Sequence, residues 1–528
     1  MRAILLFLVL FIQLSFSFAQ KNSIIPEPVS SELTNEQYLH LNQIRFFCAA
    51  NQEFLIKNFT TQLTQLGLSL KNPEKTPQKK ANLVLELATS KELKGNESYH
   101  LTITPERILI TATSHTGLFY GLQSVAHLAV SKPAASGLKL PCVTIQDYPG
   151  FSWRGLMLDE SRHFFGKEKV KQLLDWMAFY KLNIFHWHLT DEPGWRIEIK
   201  KYPLLTSVGG KGNFHDKTAE ARFYTQADVK EILQYASERF IEIIPEIDMP
   251  GHAAAANRAY PEFSGGGSEK YPDFTFNPGK EETYQFLTDV LKEVAQLFPS
   301  KYIHLGGDEV HFGNEQWNTN ADVQALMKKH QLKDLQAVEF YFLRRMTDTL
   351  SVWNKTMIGW DEIVTAEIPA DQCRTMWWRH DKPGQLDLAL KRGYHTILCP
   401  RIPLYFDFVQ HESHRSGRFW QKDFAPLEKI LEFKKLYHEP LTNFPNLIDG
   451  IQANIWTETI HTAERLDFMT FPRMAALAEA AWSKNNVPDF AEFLQRLQPS
   501  FRLYKEKNMS YFNPENPEET PEVMGIKK

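Results

Sequence analysis

The length, composition and charge of this chain exclude several classes of protein. At 528 residues, it is too long for one small domain but fits one barrel-sized domain with a smaller companion. A formal net charge of −4 and a pI near 6.5 provide no broad basic surface for nucleic acid. Because 43% of the residues are hydrophobic and 13% aromatic, we expect a large packed core, two domains and no nucleic-acid partner.

The first residues have the pattern of an export signal. Met1-Arg2 is followed by an apolar run, Ile4–Ile12, and the stretch ends in a small-x-small site at Ala19. A basic start, a short apolar run and such a site are typical of a cleaved secretory signal, and the run is too short to span a bilayer. We predict a signal peptide over residues 1–19 and export to a periplasm, the cell exterior or a lysosome-like lumen. An uncleaved membrane anchor is the alternative, and no later stretch is apolar for long enough to span.

Cysteine usage indicates neither a disulfide scaffold nor a zinc site. The four cysteines lack CxxC spacing and are too few for a disulfide-rich fold; they are Cys48, Cys142, Cys373 and Cys399. Cys48 and Cys142 could pair in an oxidising compartment, and the sequence leaves that pairing open. We expect no metal and no cofactor.

Residues 20–148 predict a small α+β domain. Two stretches with alternating apolar residues, ANLVLELA and SYHLTITPERILITA, precede HTGLFYGLQSVAHLAV, which has helical spacing. Strands followed by a helix, with a proline-containing exit at Tyr148-Pro149-Gly150, indicate a compact domain that ends there. Nothing in this domain has a catalytic pattern.

From Phe151 onward the pattern changes to strands that alternate with helices. The predicted strands are Gly155–Leu158, Ile184–Leu189, Glu242–Ile247, Tyr302–Leu305, Thr356–Trp360, Arg374–Trp378, His395–Leu398 and Gly450–Trp456. Such units fit an α/β fold, a closed (β/α)8 TIM barrel over residues 149–485, better than an open sheet, and no GxGxxG follows an early strand. Residues 486–528 predict a helix that runs into a Pro- and Glu-rich tail, partly disordered.

One linking helix illustrates why the segments between strands are predicted as helical. Thr225 and Asp228 have the spacing of a capping box, which marks a helix start. Apolar residues then follow at helical intervals, namely Val229, Ile232, Leu233 and Ala236. This spacing predicts a helix with one buried stripe.

Polar and aromatic residues follow nearly every predicted barrel strand. The active site of such a barrel forms at the carboxyl ends of its strands. The residues at these ends are Asp159, Arg162, His186, His188, Asp191, Asp248, His252, Asp308, Glu309, Trp360, Asp361, Trp378, Tyr405, Asp407, Trp456 and Glu458. Solvated turns would not supply such residues strand after strand, so we interpret them as one functional rim.

Each group also has a plainer interpretation. An isolated pair of acids such as Asp308-Glu309 is usually a solvated turn. His186 and His188 lie on one face of a strand and could bind a metal or hydrogen bond inside the barrel. The tryptophans could be core residues, and Arg162 could pair with an acid or hold a substrate hydroxyl.

A series of motifs resembles glycoside hydrolase family 20, the β-N-acetylhexosaminidases. In chain order they are RGLMLDESRHF, NIFHWHLTDEPGW, IPEIDMPGH, HLGGDE, GWDE, WWR and IWTE. The resemblance extends from about Ile24, at the start of the small first domain, to near Trp482. HxGGDE together with HWHLxD is very specific, whereas WWR or GWDE alone would be weak.

The resemblance implies which residues carry out the reaction. Glu309 would be the general acid/base. Asp308 would orient the substrate's 2-acetamido group and stabilise the charge that develops on it. Asp191 and His252 match the pair that supports the acid/base residue.

The resemblance also implies which residues hold the sugar. Arg162 would bind the 3- and 4-hydroxyls, Asp407 and Glu458 the outer hydroxyls, and Tyr405 the acetamido oxygen. The acetamido pocket would be walled by Trp360, Trp378 and Trp456. Two segments, around residues 264–267 and 410–418, match no part of the family pattern. The resemblance therefore assigns no residues to the part of the site that binds the leaving group.

The adjacency of Asp308 and Glu309 favours one mechanism. A retaining glycosidase with a protein nucleophile needs two carboxyls roughly 5–5.5 Å apart on opposite faces of the sugar, and an inverting one needs a wider gap. Neighbours on one strand end rarely straddle a ring in this way. The substrate's acetamido oxygen would instead attack C1, and Asp308 would offset the positive charge of the oxazolinium ion. The negative neighbour would also favour the protonated form of Glu309.

We therefore predict an exo-acting, retaining β-N-acetylhexosaminidase whose partner is a glycan or chitooligosaccharide with a terminal β-linked N-acetylglucosamine or N-acetylgalactosamine. Two other hypotheses stay open. One is a metal-dependent barrel hydrolase that uses His186 and His188 with Asp308. The other is a secreted carbohydrate-binding protein without turnover. The sequence does not indicate an oligomeric state.

Overall fold

The computed structural model describes residues 23–132, 137–419, 423–483 and 487–526. The predicted signal peptide over residues 1–19 lies outside the described residues. Within the described ranges, no helix combines the length and the apolar composition needed to cross a membrane.

The first domain is a mixed seven-stranded sheet with two helices, as the α+β prediction requires. In chain order its elements are β1 (Ser30–Leu41), β2 (Gln43–Phe47), α1 (Glu53–Gln65), β3 (Lys71–Lys75), β4 (Leu83–Leu87), β5 (Tyr99–Ile103), β6 (Ile108–Ala112), α2 (His115–Ser131) and β7 (Leu138–Asp147). The strand order is β1-β7-β5-β6-β4-β2-β3. Side chains of β5 and β6 alternate between buried and half-buried, so one face of the sheet packs on a helix.

Helix α2 joins this sheet to the second domain. The hydroxyl of Ser114 caps the helix by accepting hydrogen bonds from the backbone N–H groups of Thr116 and Gly117. Almost every later residue of α2 is buried, because the helix lies between the sheet and the first helix of the barrel. A helix that is apolar on all sides is stable only when it is buried on all sides.

The second domain is a closed barrel of parallel strands. From residue 153 onward the strands are β8 (Trp153–Asp159), β9 (Ile184–His188), β10 (Glu242–Glu246), β11 (Ser264–Gly266), β12 (Thr275–Phe276), β13 (Tyr302–His304), β14 (Thr356–Trp360), β15 (Cys373–Trp377), β16 (Thr396–Leu398) and β17 (Ile448–Ile455). The barrel order is β10-β13-β14-β15-β16-β17-β8-β9, and β11 pairs only with β12. The predicted (β/α)8 barrel is confirmed, with strand ends that differ by at most two residues.

Helices surround the barrel and complete each strand–helix unit. They are α3 (Lys167–Phe179), α4 (Leu204–Ser207), α5 (Gln226–Ser237), α6 (Ala254–Ala259), α7 (Glu281–Leu297), α8 (Ala321–His330), α9 (Leu335–Val352), α10 (Pro383–Lys391), α11 (Arg401–Leu404), α12 (Leu427–Leu431), α13 (Phe433–Leu436), α14 (His438–Asn443), α15 (Ala463–Thr470), α16 (Arg473–Trp482) and α17 (Phe490–Glu506). Helix α5 begins after Thr225, whose side chain forms the predicted capping box with Asp228. Val229, Ile232 and Ala236 are its buried residues, whereas Leu233, the fourth residue of the predicted stripe, is half-buried.

The residues after α17 correct one expectation. The Pro- and Glu-rich segment 507–526, here called the tail segment, packs on the barrel, and the disorder expected there is not found in its described residues. Met509 and Phe512 are buried, and the Glu522 carboxylate accepts a hydrogen bond from Arg465 Nη1 at 2.9 Å. The composition of the segment indicated disorder because composition does not show that Met509 and Phe512 are buried or that Glu522 pairs with Arg465.

The structure also answers the open question about the cysteines. All four cysteines are free thiols in buried positions, so Cys48 and Cys142 do not form the pair that the sequence left open. Burial raises the pKa of both thiols, which makes them poor nucleophiles.

Candidate active site

Four of the residues predicted for the polar rim line a cavity at the carboxyl ends of the barrel strands. The cavity has a volume of about 860 Å³. Its lining includes Arg162, His252, Glu309, Arg418 and Glu458. Residues from the loops after β8, β10, β13, β16 and β17 therefore meet at one opening, which is the expected location of a barrel site.

Two glycines shape the turn that carries the adjacent acids. Gly306 and Gly307 follow β13 with φ of 68° and 83°, a conformation that favours glycine. A Cβ on Gly306 would lie 1.8 Å from Asp248 Oδ1, so no larger residue fits. Glu309 itself has φ 53°, a strained value that is often found at functional sites.

This turn places the two acids at different depths. The Glu309 side chain is 34% exposed and lines the cavity, whereas the Asp308 side chain is 12% exposed. Burial raises the pKa of Asp308 to about 7, and the negative charge of Glu309 adds to the shift while His252 opposes it. One carboxyl therefore reaches the cavity while the other lies beneath it and holds a proton more readily than usual.

A chain of hydrogen bonds leads from the barrel interior towards Glu309. His188 Nδ1 lies 2.5 Å from Glu246 Oε2, and His188 Nε2 lies 2.9 Å from Asp191 Oδ2. The other oxygen of Asp191 is 3.0 Å from His252 Nδ1. His252 Nε2 then lies 3.9 Å from Glu309 Oε2. The structure thus brings Asp191 and His252 together beside the exposed acid.

The carboxylates along this series of hydrogen bonds favour the protonated form of His252. Although burial opposes it, the carboxylates of Asp191, Asp248 and Asp308 raise the pKa of His252 well above its ordinary value. Burial, followed by the charge of Asp308, likewise raises the pKa of Asp248. The rim is therefore a cluster of acids around one imidazolium, which makes proton positions there sensitive to any bound charge.

Glu246 is a central residue that the sequence analysis left without a role. Besides His188, it contacts His186 Nε2 at 3.0 Å and His304 Nδ1 at 2.8 Å. It also accepts a hydrogen bond from the indole N–H of Trp360 at 3.0 Å. A buried glutamate inside the quoted motif IPEIDMPGH was the available signal, because buried carboxylates need such partners.

This arrangement bears on the metal hypothesis. His188 hydrogen bonds to Glu246 through Nδ1, and His186 Nδ1 accepts from Gln452 Nε2 at 3.1 Å, in agreement with the hydrogen-bonded interpretation of barrel histidines. Among the described residues, the groups whose ligand atoms are close enough for an ion never combine His186, His188 and Asp308. The specific metal site that was considered as an alternative is therefore not formed.

Four aromatic rings predicted to lie at the rim pack against one another, and none of them lines the cavity described above. Trp378 and Tyr405 are stacked, with ring centroids 6.3 Å apart and an interplanar angle of 11°. Trp456 lies 5.8 Å from Trp360 and 6.2 Å from Tyr405 between ring centroids. All four rings are less than 10% exposed. The structure therefore brings the predicted tryptophans and the tyrosine together in one apolar wall.

The GWDE motif explains how Trp378 is held. Its indole N–H donates to Glu362 Oε2 at 3.1 Å, and its backbone N–H donates to Asp361 Oδ2 at 3.3 Å. Asp361 is itself paired with Arg379. The two acids of this motif therefore fix a ring and do not face the cavity as a second catalytic pair.

Arg162 pairs mainly with Asp191. Its Nη1 lies 2.6 Å from Asp191 Oδ2 and 3.5 Å from Asp159 Oδ2. Its guanidinium also lies 4.9 Å from the centroid of the Trp456 ring. Arg162 lines the cavity, so the ion pairs orient it and still leave it available to a ligand.

Asp407 and Glu458 lie on either side of a residue that the sequence analysis missed. Arg418 Nε is 3.1 Å from Asp407 Oδ2, and Arg418 Nη2 contacts Glu458 Oε1. Arg418 belongs to segment 410–418, which matched no family pattern, so no signal for it was available. The other unmatched segment, 264–267, forms strand β11 and the turn after it.

These features define a (β/α)8-barrel protein with a polar cavity and a cluster of buried aromatic rings at the carboxyl ends of its strands. The model of the glycosyl hydrolase family 20 catalytic domain matches residues 151–485, and the model of domain 2 of the same family matches residues 21–148. The chain belongs to glycosyl hydrolase family 20.

Known relatives agree with this assignment. A beta-hexosaminidase of Porphyromonas gingivalis is 37% identical over 448 residues, which cover 79% of this chain and 56% of that protein. The chain thus spans little more than half of that relative's length. A solved β-N-acetylhexosaminidase from Bacteroides fragilis is 32% identical with a TM-score of 0.81, covering 92% of this chain and 96% of that one. A family 20 exo-β-N-acetylglucosaminidase from Vibrio harveyi, solved with N-acetylglucosamine, is 29% identical with a TM-score of 0.84, covering 93% and 78%.

Proposed function

We propose that this chain is an exo-acting, retaining β-N-acetylhexosaminidase that removes terminal, non-reducing β-linked N-acetylglucosamine or N-acetylgalactosamine. One observation carries the proposal. Asp308 and Glu309 are adjacent on one strand end, with Glu309 in the cavity and Asp308 buried beneath it. Two carboxyls in this arrangement suit an acid and a charge stabiliser that act on the same side of a sugar. The names of the relatives in Porphyromonas gingivalis, Bacteroides fragilis and Vibrio harveyi point to the same activity.

In the first step Glu309 gives its proton to the leaving oxygen as the bond from that oxygen to C1 breaks. The substrate's acetamido oxygen forms a new bond to C1 and yields an oxazolinium ion. In the second step Glu309 takes a proton from water, which attacks C1 and opens the oxazolinium ring. Two inversions at C1 retain the β configuration.

Asp308 would stabilise the oxazolinium ion. Its carboxyl is buried, and its pKa is raised to about 7, so its charge is costly in the free enzyme. A positive ion beside it would favour the carboxylate, because an opposite charge lowers the pKa of an acid. The interaction therefore strengthens as the sugar becomes positive, which is what catalysis requires.

The wall and the outer carboxylates would hold the sugar. Trp360, Trp378 and Trp456 would enclose the acetamido group and press its oxygen towards C1, and Tyr405 would hydrogen bond to that oxygen. Arg162 would bind the 3- and 4-hydroxyls. The outer hydroxyls would be bound by Asp407 and Glu458. These contacts would set the near-attack geometry on which an internal nucleophile depends.

His252 and Asp191 would support the acid/base residue. His252 Nε2 lies 3.9 Å from Glu309 Oε2, close enough for its charge to act on that carboxyl. Asp191 would hold the imidazole in place through the contact at 3.0 Å.

We further propose the division of the chain into a signal peptide over residues 1–19, an α+β domain over 20–148, a catalytic barrel over 149–485 and a closing helix with the tail segment over 486–528. The basic start and the short apolar run support cleavage and export. The partner would be a glycan or chitooligosaccharide outside the cytoplasm.

Release of 4-nitrophenol from three chromogenic substrates tests the proposal. The β-N-acetylglucosaminide should be cleaved, and the β-glucoside should be nearly inert because it lacks the acetamido nucleophile. Activity should persist in excess chelator, which separates this mechanism from the metal-dependent alternative, and the β-N-acetylgalactosaminide measures the preference at the 4-hydroxyl. Comparable cleavage of glucoside and N-acetylglucosaminide, with a sugar trapped on a carboxylate, would refute it. Binding without any turnover would favour the carbohydrate-binding alternative.

A further inference from the structure

Arg418 bridges the two carboxylates proposed to bind the outer hydroxyls. It lies 3.1 Å from Asp407 Oδ2 through Nε and contacts Glu458 Oε1 through Nη2. The two acids are almost fully buried, whereas the Arg418 side chain is 29% exposed and lines the same cavity as Glu309. One guanidinium therefore joins two acids that come from the loops after β16 and β17.

The backbone around Arg418 is fixed by its neighbours. Arg418 N–H donates to the Asp407 carbonyl at 3.1 Å, and the Arg418 carbonyl accepts from Val409 N–H at 3.1 Å. Gly417 has φ 118°, and a Cβ there would lie 2.9 Å from Val409 Cγ1. The turn before Arg418 therefore requires glycine, and it returns the chain to the stretch that contains Asp407.

The tail segment holds this turn from the other side. The Glu522 carboxylate accepts hydrogen bonds from the backbone N–H groups of Arg415 and Ser416. It also pairs with Arg465 Nη1 at 2.9 Å. Arg465 in turn donates to the Ser416 carbonyl at 2.6 Å through Nη2. Since the Arg465 side chain is fully buried and that of Glu522 is 9% exposed, the contact is shielded from solvent.

Charge explains what the bridge would do. Two carboxylates in a buried site repel each other, and each favours the neutral form of the other. A planar guanidinium with several N–H donors can bind both at once. The carboxylates that it aligns can each accept a hydrogen bond from a sugar hydroxyl.

We propose that Arg418 is a positioning residue that aligns Asp407 and Glu458 for the outer hydroxyls of the sugar, and that the tail segment holds Arg418 in place through Glu522. The inference rests on the proposed function, because it needs a sugar whose hydroxyls those two acids bind. Segments 410–418 and 507–526 would therefore contribute to substrate binding.

Steady-state kinetics of Arg418→Gln test the first half. With the 4-nitrophenyl β-N-acetylglucosaminide, KM should rise about tenfold or more, while kcat changes less, because a charge-assisted bridge is lost away from the reacting atoms. Arg418→Lys should restore part of the loss, since it keeps the charge without the fork. The penalty of Arg418→Gln should shrink on the 4-deoxy or 6-deoxy analogue, which lacks a hydroxyl that the acids bind. An equal penalty on all three substrates would overturn the positioning role.

Glu522→Gln tests the second half, with Glu518→Gln as the matched control because Glu518 is an exposed acid in the same segment. Glu522→Gln should raise KM by about threefold or more, with the same dependence on the deoxy analogues, and the control should leave KM unchanged. The double variant Arg418→Gln, Glu522→Gln should have the KM of Arg418→Gln, because both changes act through one contact. Fully additive effects would refute the role of the tail segment.

The experiments distinguish a failure of the proposed function from a failure of the role proposed for Arg418. If the wild-type protein does not cleave the N-acetylglucosaminide at all, the proposed function fails. If the wild-type protein cleaves it and both Arg418→Gln and Arg418→Lys retain wild-type KM, only the inference about Arg418 fails. Thermal unfolding of each variant shows whether a kinetic change reflects a folded protein.

Discussion

Strand β8 begins near one cluster of buried charge and ends at the rim that holds a second, and the two clusters differ in how fully their polar atoms are paired. Near its start, Lys181 Nζ pairs with Asp147 Oδ2 at 3.0 Å, and both side chains are fully buried. Asp147 also accepts hydrogen bonds from Tyr99 Oη at 2.7 Å and Trp482 Nε1 at 2.8 Å. This interface cluster joins the first domain to the barrel, and its partners satisfy it without any ligand.

The rim cluster at the other end is not satisfied in the same way. Among the described residues, Asp248 Oδ1, His252 Nε2 and Asp308 Oδ1 are buried and have no hydrogen-bond partner. Buried polar atoms without partners cost free energy, and in native proteins they call for a functional explanation. Charge at the domain interface therefore serves stability, whereas charge at the rim is arranged for a ligand.

The largest effect should come from changing the exposed acid of the rim. Glu309→Gln keeps the shape of the side chain and loses the transferable proton, so kcat on an unactivated oligosaccharide should fall about 10²–10⁴-fold. The melting temperature and the affinity for N-acetylglucosamine should stay close to wild type. Near-wild-type turnover of an unactivated substrate would remove Glu309 from its proposed role.

A change at the interface cluster should have the opposite outcome. Lys181→Met leaves the Asp147 carboxylate buried without its cation, which should reduce the free energy of unfolding by about 3–5 kcal/mol. Chemical denaturation measures the loss, and kcat/KM well below the melting temperature should be unchanged.

The matched control for this variant is Lys201→Met. Lys201 pairs with Asp289 on the surface, and its side chain is 57% exposed, so the expected loss is at most about 1 kcal/mol. Equal losses for the two lysine variants would mean that burial does not distinguish the interface pair.

The aromatic wall should show an intermediate effect on activity. Trp378→Ala or Trp456→Ala removes one side of the acetamido pocket, and loss of the near-attack geometry should cost about 10²-fold in kcat/KM. Binding and turnover should weaken together. Trp353→Ala, a half-buried tryptophan at the end of α9, is the control. Wild-type kinetics in both pocket variants would make those rings core residues only.

The smallest effect concerns the pH dependence of the rim. The pKa of Asp308 is raised to about 7 in the free enzyme, and its charged form is the one that stabilises a positive sugar. That form is lost as the pH falls, so kcat/KM should decline on the acid side near pH 7. The acid limb of kcat should lie about one unit lower, because the positive intermediate favours the carboxylate.

Asp308→Asn provides the control for this profile. The amide cannot ionise, so the acid limb assigned to Asp308 should disappear. Binding of a thiazoline mimic of the intermediate, which should exceed that of N-acetylglucosamine in the wild type, should weaken in this variant. An unchanged acid limb in Asp308→Asn would assign the titration to another group.

Local patterns were enough to predict most of the fold. Strand-forming runs between helices of regular spacing indicated the closed barrel, and Thr225 with Asp228 marked the start of α5. These features depend on neighbours in the chain, where periodicity and capping act directly. The disorder expected for the tail segment was wrong because Phe512 and Glu522 find their partners far away in sequence.

The sequence by itself determined the identity and order of the rim residues, because the carboxyl ends of all the strands of a parallel barrel lie at one face, whatever the conformation of the loops. Only the tertiary structure decided which rim residues contact each other. Glu246 joins three histidines from two neighbouring strands, and Arg418 joins acids that follow two other strands. Such contacts depend on distances across the barrel and on side-chain direction, which no local pattern encodes. The depths of Asp308 and Glu309 likewise follow from the turn at Gly306 and Gly307, because burial is a property of the folded chain.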